Sequence, residues 1–175
     1  MAKLSTQPEN VNFLSPLGFK FLIQKLPSTN FFTTQVNVPS IAVGDLTMPT
    51  PFIQVPTPGD QLQYGTLSLT FRVDEDLTNY IELYNWTTGI GFPESYNQYR
   101  DALNDNADIK IPTNLTSDGT LIVMNSNMRA NKEFTFRDLF PVQLGDLQFD
   151  AQQLDLEYIT CTVDFRFTLF DIKSV

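Results

Sequence analysis

The sequence contains no histidine. With it go the commonest general base, the commonest metal ligand and every Ser-His-Asp or Cys-His arrangement. Cys161 is the single cysteine, so no internal disulfide and no CxxC pair can form. Charge is scarce as well: charged residues make up 18%, against the usual roughly 25%. The 11 Lys and Arg are outnumbered by 20 Asp and Glu, for a net charge of -9. Neutralising DNA phosphates takes clustered Lys and Arg, so this balance argues against sequence-specific DNA binding. An acidic wall past which DNA slides without sticking is compatible with it. No run approaches the roughly 18 apolar residues of a membrane span, and Met1 to Pro8 lack the apolar run of a signal peptide. The expectation is a soluble protein made in a cytoplasm, with no membrane insertion. No Gly-rich phosphate loop follows a strand. A carboxylate pair is the one catalytic device left. Asp74, Glu75, Asp146 and Asp164 are available for it, but nothing separates them from solvated charges. The reading is of a non-enzyme without catalytic residue, cofactor or metal.

What the sequence has is β pattern. From Tyr158 to Phe170 the residues alternate, with Ile159, Cys161, Val163, Phe165, Phe167 and Leu169 on one parity and Thr160, Thr162, Asp164, Arg166 and Thr168 on the other. Side chains of a strand point alternately to opposite faces, so this segment predicts one apolar face and one hydroxyl-rich face. Burying its six apolar residues is worth about 1.5–3 kcal/mol each, roughly 10 kcal/mol in all. Ordering the strand costs about 1–2 kcal/mol per residue, so it needs sheet neighbours on both sides. Gly65 to Val73 repeats the pattern, with Leu67, Leu69, Phe71 and Val73 opposite Thr66, Ser68, Thr70 and Arg72.

The 175 residues, 42% of them apolar, suit one domain with a real core. Residues 1–17 read as a polar arm and residues 18–175 as the domain. Phe19 to Gln24 predicts a first strand. After a turn at Pro27 to Asn30, Phe32, Val36 and Val38 mark a second that would form a hairpin with it. Pro39 to Pro58 holds five of the 11 prolines, which excludes a central strand and predicts a long extended loop or edge. Its Ile41, Val43, Met48, Phe52, Ile53 and Val55 call for a partner surface. Asp74-Glu75-Asp76 followed by Leu77, Tyr80, Ile81 and Tyr84 predicts a helix, ended by Gly89 and Gly91. Tyr80, Tyr84 and Trp86 read as packing groups. A short helix is expected around Tyr96 to Leu103, and Asn104 to Asp108 lacks the glycine and glutamate of a calcium loop. Thr120 to Met124 and Phe134 to Arg137 are strands joined by a polar loop. Six or seven strands with one helix predict a mainly β fold, a small antiparallel β sandwich or barrel with one flanking α-helix.

Leu139-Phe140-Pro141, then Gly145-Asp146-Leu147, then a strand ending at Phe170 resembles the tail tube protein family of contractile-tailed bacteriophages. The order of elements resembles that family over most of the chain: early hairpin, long loop, strand, acidic helix with Trp86, second hairpin, closing strand. The resemblance implies a homohexameric ring that stacks into a hollow tube of the virion, assembled in the host cytoplasm, through which the genome leaves. It implies sheath, baseplate and tail-end proteins as partners and DNA only as transient, non-specific cargo. The fold is shared with baseplate tube-initiator proteins and the type VI secretion tube protein, so an initiator or tail-end ring is the nearest alternative role. Under this reading Phe52, Ile53 and Val55 are the ring-stacking anchors. The lumen-facing set is Thr66, Ser68, Thr70, Thr160, Thr162, Asp164 and Thr168. A carbohydrate-binding β-sandwich using Tyr96, Tyr99 and Trp86 is the alternative from a different class, and it requires those aromatics to be exposed.

Overall fold

The computed structural model describes residues 12–91, 95–97, 100, 115–150, 152 and 157–175. Most of the arm, Tyr99, the Asn104 to Asp108 loop and most of the expected short helix lie outside the described residues. The elements run β1 (Phe19–Ile23), α1 (Pro27–Phe31), β2 (Thr33–Val36), β3 (Ile41–Pro49), β4 (Gln54–Tyr64), β5 (Leu67–Arg72), α2 (Thr78–Gly91), β6 (Ser117–Met124), β7 (Ala130–Leu144), β8 (Thr160–Arg166) and β9 (Leu169–Ser174). The fold is mainly β and antiparallel with a flanking helix, as expected, but its main sheet does not close into a barrel. Seven strands pair in the order β1-β6-β7-β8-β5-β2, with β9 added to β7, and β3 and β4 form a separate two-stranded sheet.

The fifteen-residue β7 joins the two halves. Its first part pairs with β6 on one side and β9 on the other, and its last part, from Phe140 to Leu144, pairs with β8. The backbone turns at Asp138, whose φ of 54° is left-handed, a conformation that costs a non-glycine residue energy and redirects the strand. The core fills the space between the halves: Phe21 and Ile23 of β1, Leu121 of β6 and Phe136 of β7 meet Leu67, Leu69 and Phe71 of β5 and Cys161, Val163 and Phe165 of β8. Phe136 is its hub, with ring centroids at 5.2 Å from Phe167, 5.5 Å from Phe170 and 6.4 Å from Phe21.

Helix α2 forms where expected, but its start is built by fewer acids than the sequence presents. Asp74 Oδ1 accepts from the Asn79 amide at 3.3 Å, Asn79 Oδ1 accepts from the Asp74 amide at 3.4 Å, and Asn79 Nδ2 donates to the Arg72 carbonyl at 2.8 Å. The fully buried Asn79 thus ties the helix to the end of β5. Leu83 and Trp86 enter the core on the next turns, and Trp86 Nε1 donates to the Leu115 carbonyl at 2.7 Å.

Four expectations are corrected. β1 and β2 are not a hairpin: β1 pairs with β6 and β2 with β5. The Pro27 to Asn30 turn is the one-turn helix α1, with Pro27 at its start, where a missing amide proton costs nothing. Asn30 then satisfies the end of β1, accepting from the Ile23 amide at 2.8 Å and donating to its carbonyl at 2.9 Å. The Tyr158 to Phe170 segment is not one strand. It breaks at Phe167-Thr168, and β9 leaves β8 to pair with the other half of β7. Finally, of the extended loop or edge expected from Pro39 to Pro58 only the edge is found: the stretch lies largely in β3 and β4, which pair solely with each other among the described residues.

Candidate assembly surface

β3 and β4 form a long hairpin, of nine and eleven residues, that pairs with no other strand among the described residues. At its root the Gly65 amide donates to the Ser40 carbonyl at 2.9 Å, and the Tyr64 ring packs at 5.5 Å from both Phe167 and Phe170. Midway, the register shifts between Val43 and Asp45. A Cβ on Gly59 would stand 2.5 Å from the Gly44 carbonyl oxygen, so this crossing requires glycine. At the tip the Thr50 amide donates to the Ile53 carbonyl at 3.1 Å and the Ile53 amide to Thr50 Oγ1 at 3.1 Å.

The hairpin is apolar where it meets water. Ile41, Val43, Leu46, Met48, Val55 and Leu62 are all exposed, and Phe52 at the tip is 97% exposed beside an exposed Ile53. Paired residues share a face of the ribbon. Ile41 and Val43 stand with Tyr64 and Leu62, and Met48 stands with Val55. By strand alternation Leu46 joins Met48 on the face opposite Val43. Asp45 and Asp60 are its only charges. An isolated two-stranded hairpin is marginally stable in water, and depletion of charge with exposed apolar groups is the composition of an interface core. Of the three residues expected to anchor stacking, Phe52 and Ile53 sit on the tip and Val55 on the stem.

The expected hydroxyl-rich set is partly assembled. β5 and β8 pair with Ser68 opposite Asp164, Thr70 opposite Thr162 and Arg72 opposite Thr160. Ser68 Oγ donates to Asp164 Oδ1, and the Thr70 and Thr162 hydroxyls lie 3.1 Å apart. Thr66 precedes β5 and lends its carbonyl to Asn37 Nδ2 at 3.1 Å. Thr168 is not brought onto this face, because it lies in the bend after β8 with its amide on the Arg137 carbonyl at 3.0 Å. Arg72 and Arg166 flank the set, and the Arg72 guanidinium lies over the Tyr158 ring at 5.4 Å. The sequence reading left both arginines out, although their even parity placed them on this face. At its edge a polar cleft of about 360 Å³ is lined by Gly145, Asp146, Glu157, Tyr158, Thr160 and Thr162.

Trp86 offers no ligand platform: it is 9% exposed, stacked near Phe165 at 6.0 Å and covered by Lys25 Nζ at 5.3 Å. Burial pushes the Lys25 amine below its ordinary range. The carbohydrate-binding reading loses its central aromatic, and of its other two only the exposed Tyr96 is among the described residues. Cys161 is a core residue whose thiol burial pushes up, with the Asp146 charge adding to the shift. No group of three or more Cys, Asp or Glu that could hold a metal ion occurs among the described residues.

The architecture has solved counterparts. The chain aligns with a chain of the anti-feeding prophage cap structure, the tube terminating cap, at a TM-score of 0.61, covering 99% of this chain and 100% of that one at 14% identity. It aligns with a chain of the sheath-tube complex of the extracellular contractile injection system PVC at 0.57, covering 93% and 92% at 15% identity. A chain of the anti-feeding prophage baseplate gives 0.55, covering 89% and 90% at 12% identity. The chain has the tail-tube fold. At these identities the likeness is one of fold. No protein-family model and no curated protein matches the sequence. Within that fold, the β3–β4 hairpin is an exposed, charge-poor apolar element that pairs with no other described strand. No described helix is long and apolar enough to cross a membrane.

Proposed function

We propose that this chain is a structural subunit of a contractile tail or injection machine, forming hexameric rings that stack into its inner tube. The observation that carries the reading is the β3–β4 hairpin: a charge-poor ribbon with exposed apolar groups on both faces, on a fold shared with a sheath-tube complex. Folding that ribbon in water is unfavourable unless another surface covers it. The hairpin is the stacking arm, with Phe52, Ile53 and Val55 as anchors. Ring-to-ring contacts that join two different surfaces do not close on themselves, so they build a filament. The β5–β8 hydroxyl face lines the channel, where genome passes by transient contact. Sheath, baseplate and tail-end proteins are the outer partners.

A ring at one end of the tube is the second reading, supported by the full-length alignment with a chain of the tube terminating cap structure. Sedimentation velocity tests the assembly claim. The wild type should pass from monomer to large species as concentration rises, and Phe52→Asp should stay folded while shifting that transition upward. A wild type monomeric throughout, without binding to sheath or baseplate proteins, would refute it.

A further inference from the structure

The hairpin's two long edges are not equivalent, and the prolines make the difference. In an antiparallel pair, directly opposed residues alternate between pairs whose amides and carbonyls point at each other and pairs whose amides and carbonyls point outward. Pro56 is opposite Thr47 and Pro58 opposite Asp45. A proline ring has no amide proton and cannot face the partner strand. These two pairs are therefore the outward-pointing ones. The intervening pairs, Leu46 with Thr57 and Met48 with Val55, carry the ladder.

It follows that the outer edge of β4 lacks donors at 56 and 58 and carries two rings that block a strand from approaching. The outer edge of β3 keeps its outward amides at Asp45 and Thr47. Proline is one of the devices that close a sheet edge to further pairing: two rings close the middle of the β4 edge, whereas the β3 edge carries one, Pro49, opposite Gln54 at the tip end, and stays open at Asp45 and Thr47. We propose that a second copy of this chain pairs a strand with the open edge of β3, while the proline-bearing edge of β4 ends the sheet. This rests on the reading of the chain as a self-assembling subunit.

The second copy is the partner on three grounds. The hairpin's nine and eleven strand residues approach the roughly 20–30 residues that one side of a standard interface uses. Its two charges are both acidic, so no charge pattern selects a different partner. And the main sheet ends, among the described residues, in β1, β2 and β9, each paired on one side only. A second copy thus presents open strands of its own to an open edge.

The test uses full-length protein and compares two proline substitutions. Thr47→Pro removes an outward amide from the β3 edge without touching the ladder. Gln54→Pro does the same at the β4 edge, where Gln54 faces Pro49. Thr47→Pro should lose assembly at concentrations where the wild type and Gln54→Pro are assembled, with unchanged melting temperatures showing that all three fold. Hydrogen exchange on the wild type supplies a readout free of mutation: the Asp45 and Thr47 amides should exchange fast in the monomer and slowly in the assembly. Normal assembly of Thr47→Pro, or unprotected Asp45 and Thr47 amides in assembled protein, would overturn the edge assignment alone. A wild type that never assembles would overturn both this inference and the reading beneath it.

Discussion

Tyr64 is where the hairpin meets the domain, and replacing it should separate assembly from folding. Its ring touches two others, Phe167 and Phe170, each at 5.5 Å between centroids. Aromatic pairs of this kind contribute about 0.5–1.5 kcal/mol apiece, so Tyr64→Ala removes about 1–3 kcal/mol from the contact that holds the ribbon against the domain. At about 1.4 kcal/mol per factor of ten, the docked orientation loses roughly 5- to 150-fold in population relative to the swung one. If only the docked hairpin presents its edges and tip correctly, the concentration needed for assembly rises by up to that factor. The domain itself should survive, since Tyr64 lies outside the buried core. Its melting temperature should fall much less than that of Phe136→Ala, a fully buried position where truncation costs about 3–5 kcal/mol. Tyr64→Phe, which keeps both ring contacts, should assemble like the wild type. The assay is sedimentation velocity across a concentration series, beside a thermal melt. Tyr64→Ala assembling at wild-type concentrations, or melting as early as Phe136→Ala, would refute the reasoning.

Asn79→Ala should destabilise the fold by about 1–3 kcal/mol in urea unfolding, because it removes the fully buried side chain that donates to the Arg72 carbonyl at 2.8 Å and deletes the helix-start pairing with Asp74; an unchanged midpoint would contradict this. Burial raises the Cys161 pKa, so the folded state holds the thiol proton more tightly than the unfolded chain. The contribution is fully present below the unfolded thiol pKa of about 8.5 and is lost as pH rises through the higher folded value. Urea midpoints between about pH 8 and 10 should accordingly fall less steeply for Cys161→Ala than for the wild type, and equal slopes would refute the assignment.

Local patterns were legible and long-range pairings were not. Alternation located β5 to within a residue or two, and it named the buried side of β8: Cys161, Val163 and Phe165 are core, with β5 and β7 on either side. Acids ahead of Leu77, Tyr80 and Ile81 located α2. The alternation carried on through Phe167 and Leu169, however, and so hid the break between β8 and β9, which is set by where β7 turns at Asp138. Likewise, Phe19 to Ile23 was visible as a strand, but its partner β6 lies about a hundred residues on, and nothing local selects it over β2. Prolines sit within strands at two places for one reason. Pro141 sits in β7 where the register shifts between Pro141 and Gln143, and Pro56 and Pro58 sit on the outer edge of a two-stranded ribbon. In both places the missing amide is not needed. The polar face of β5 and β8 was legible from parity, Arg72 and Arg166 included, whereas the departure of Thr168 was not, because the alternation runs on past the end of β8 at Arg166.

The central claim is that this chain builds rings that stack. Electron micrographs of the concentrated, purified protein test it most directly, with end-on views averaged without imposed symmetry. Hollow rings or tubes with sixfold symmetry are expected; solid or monomeric particles at every concentration, or rings of another order, would contradict hexameric ring stacking.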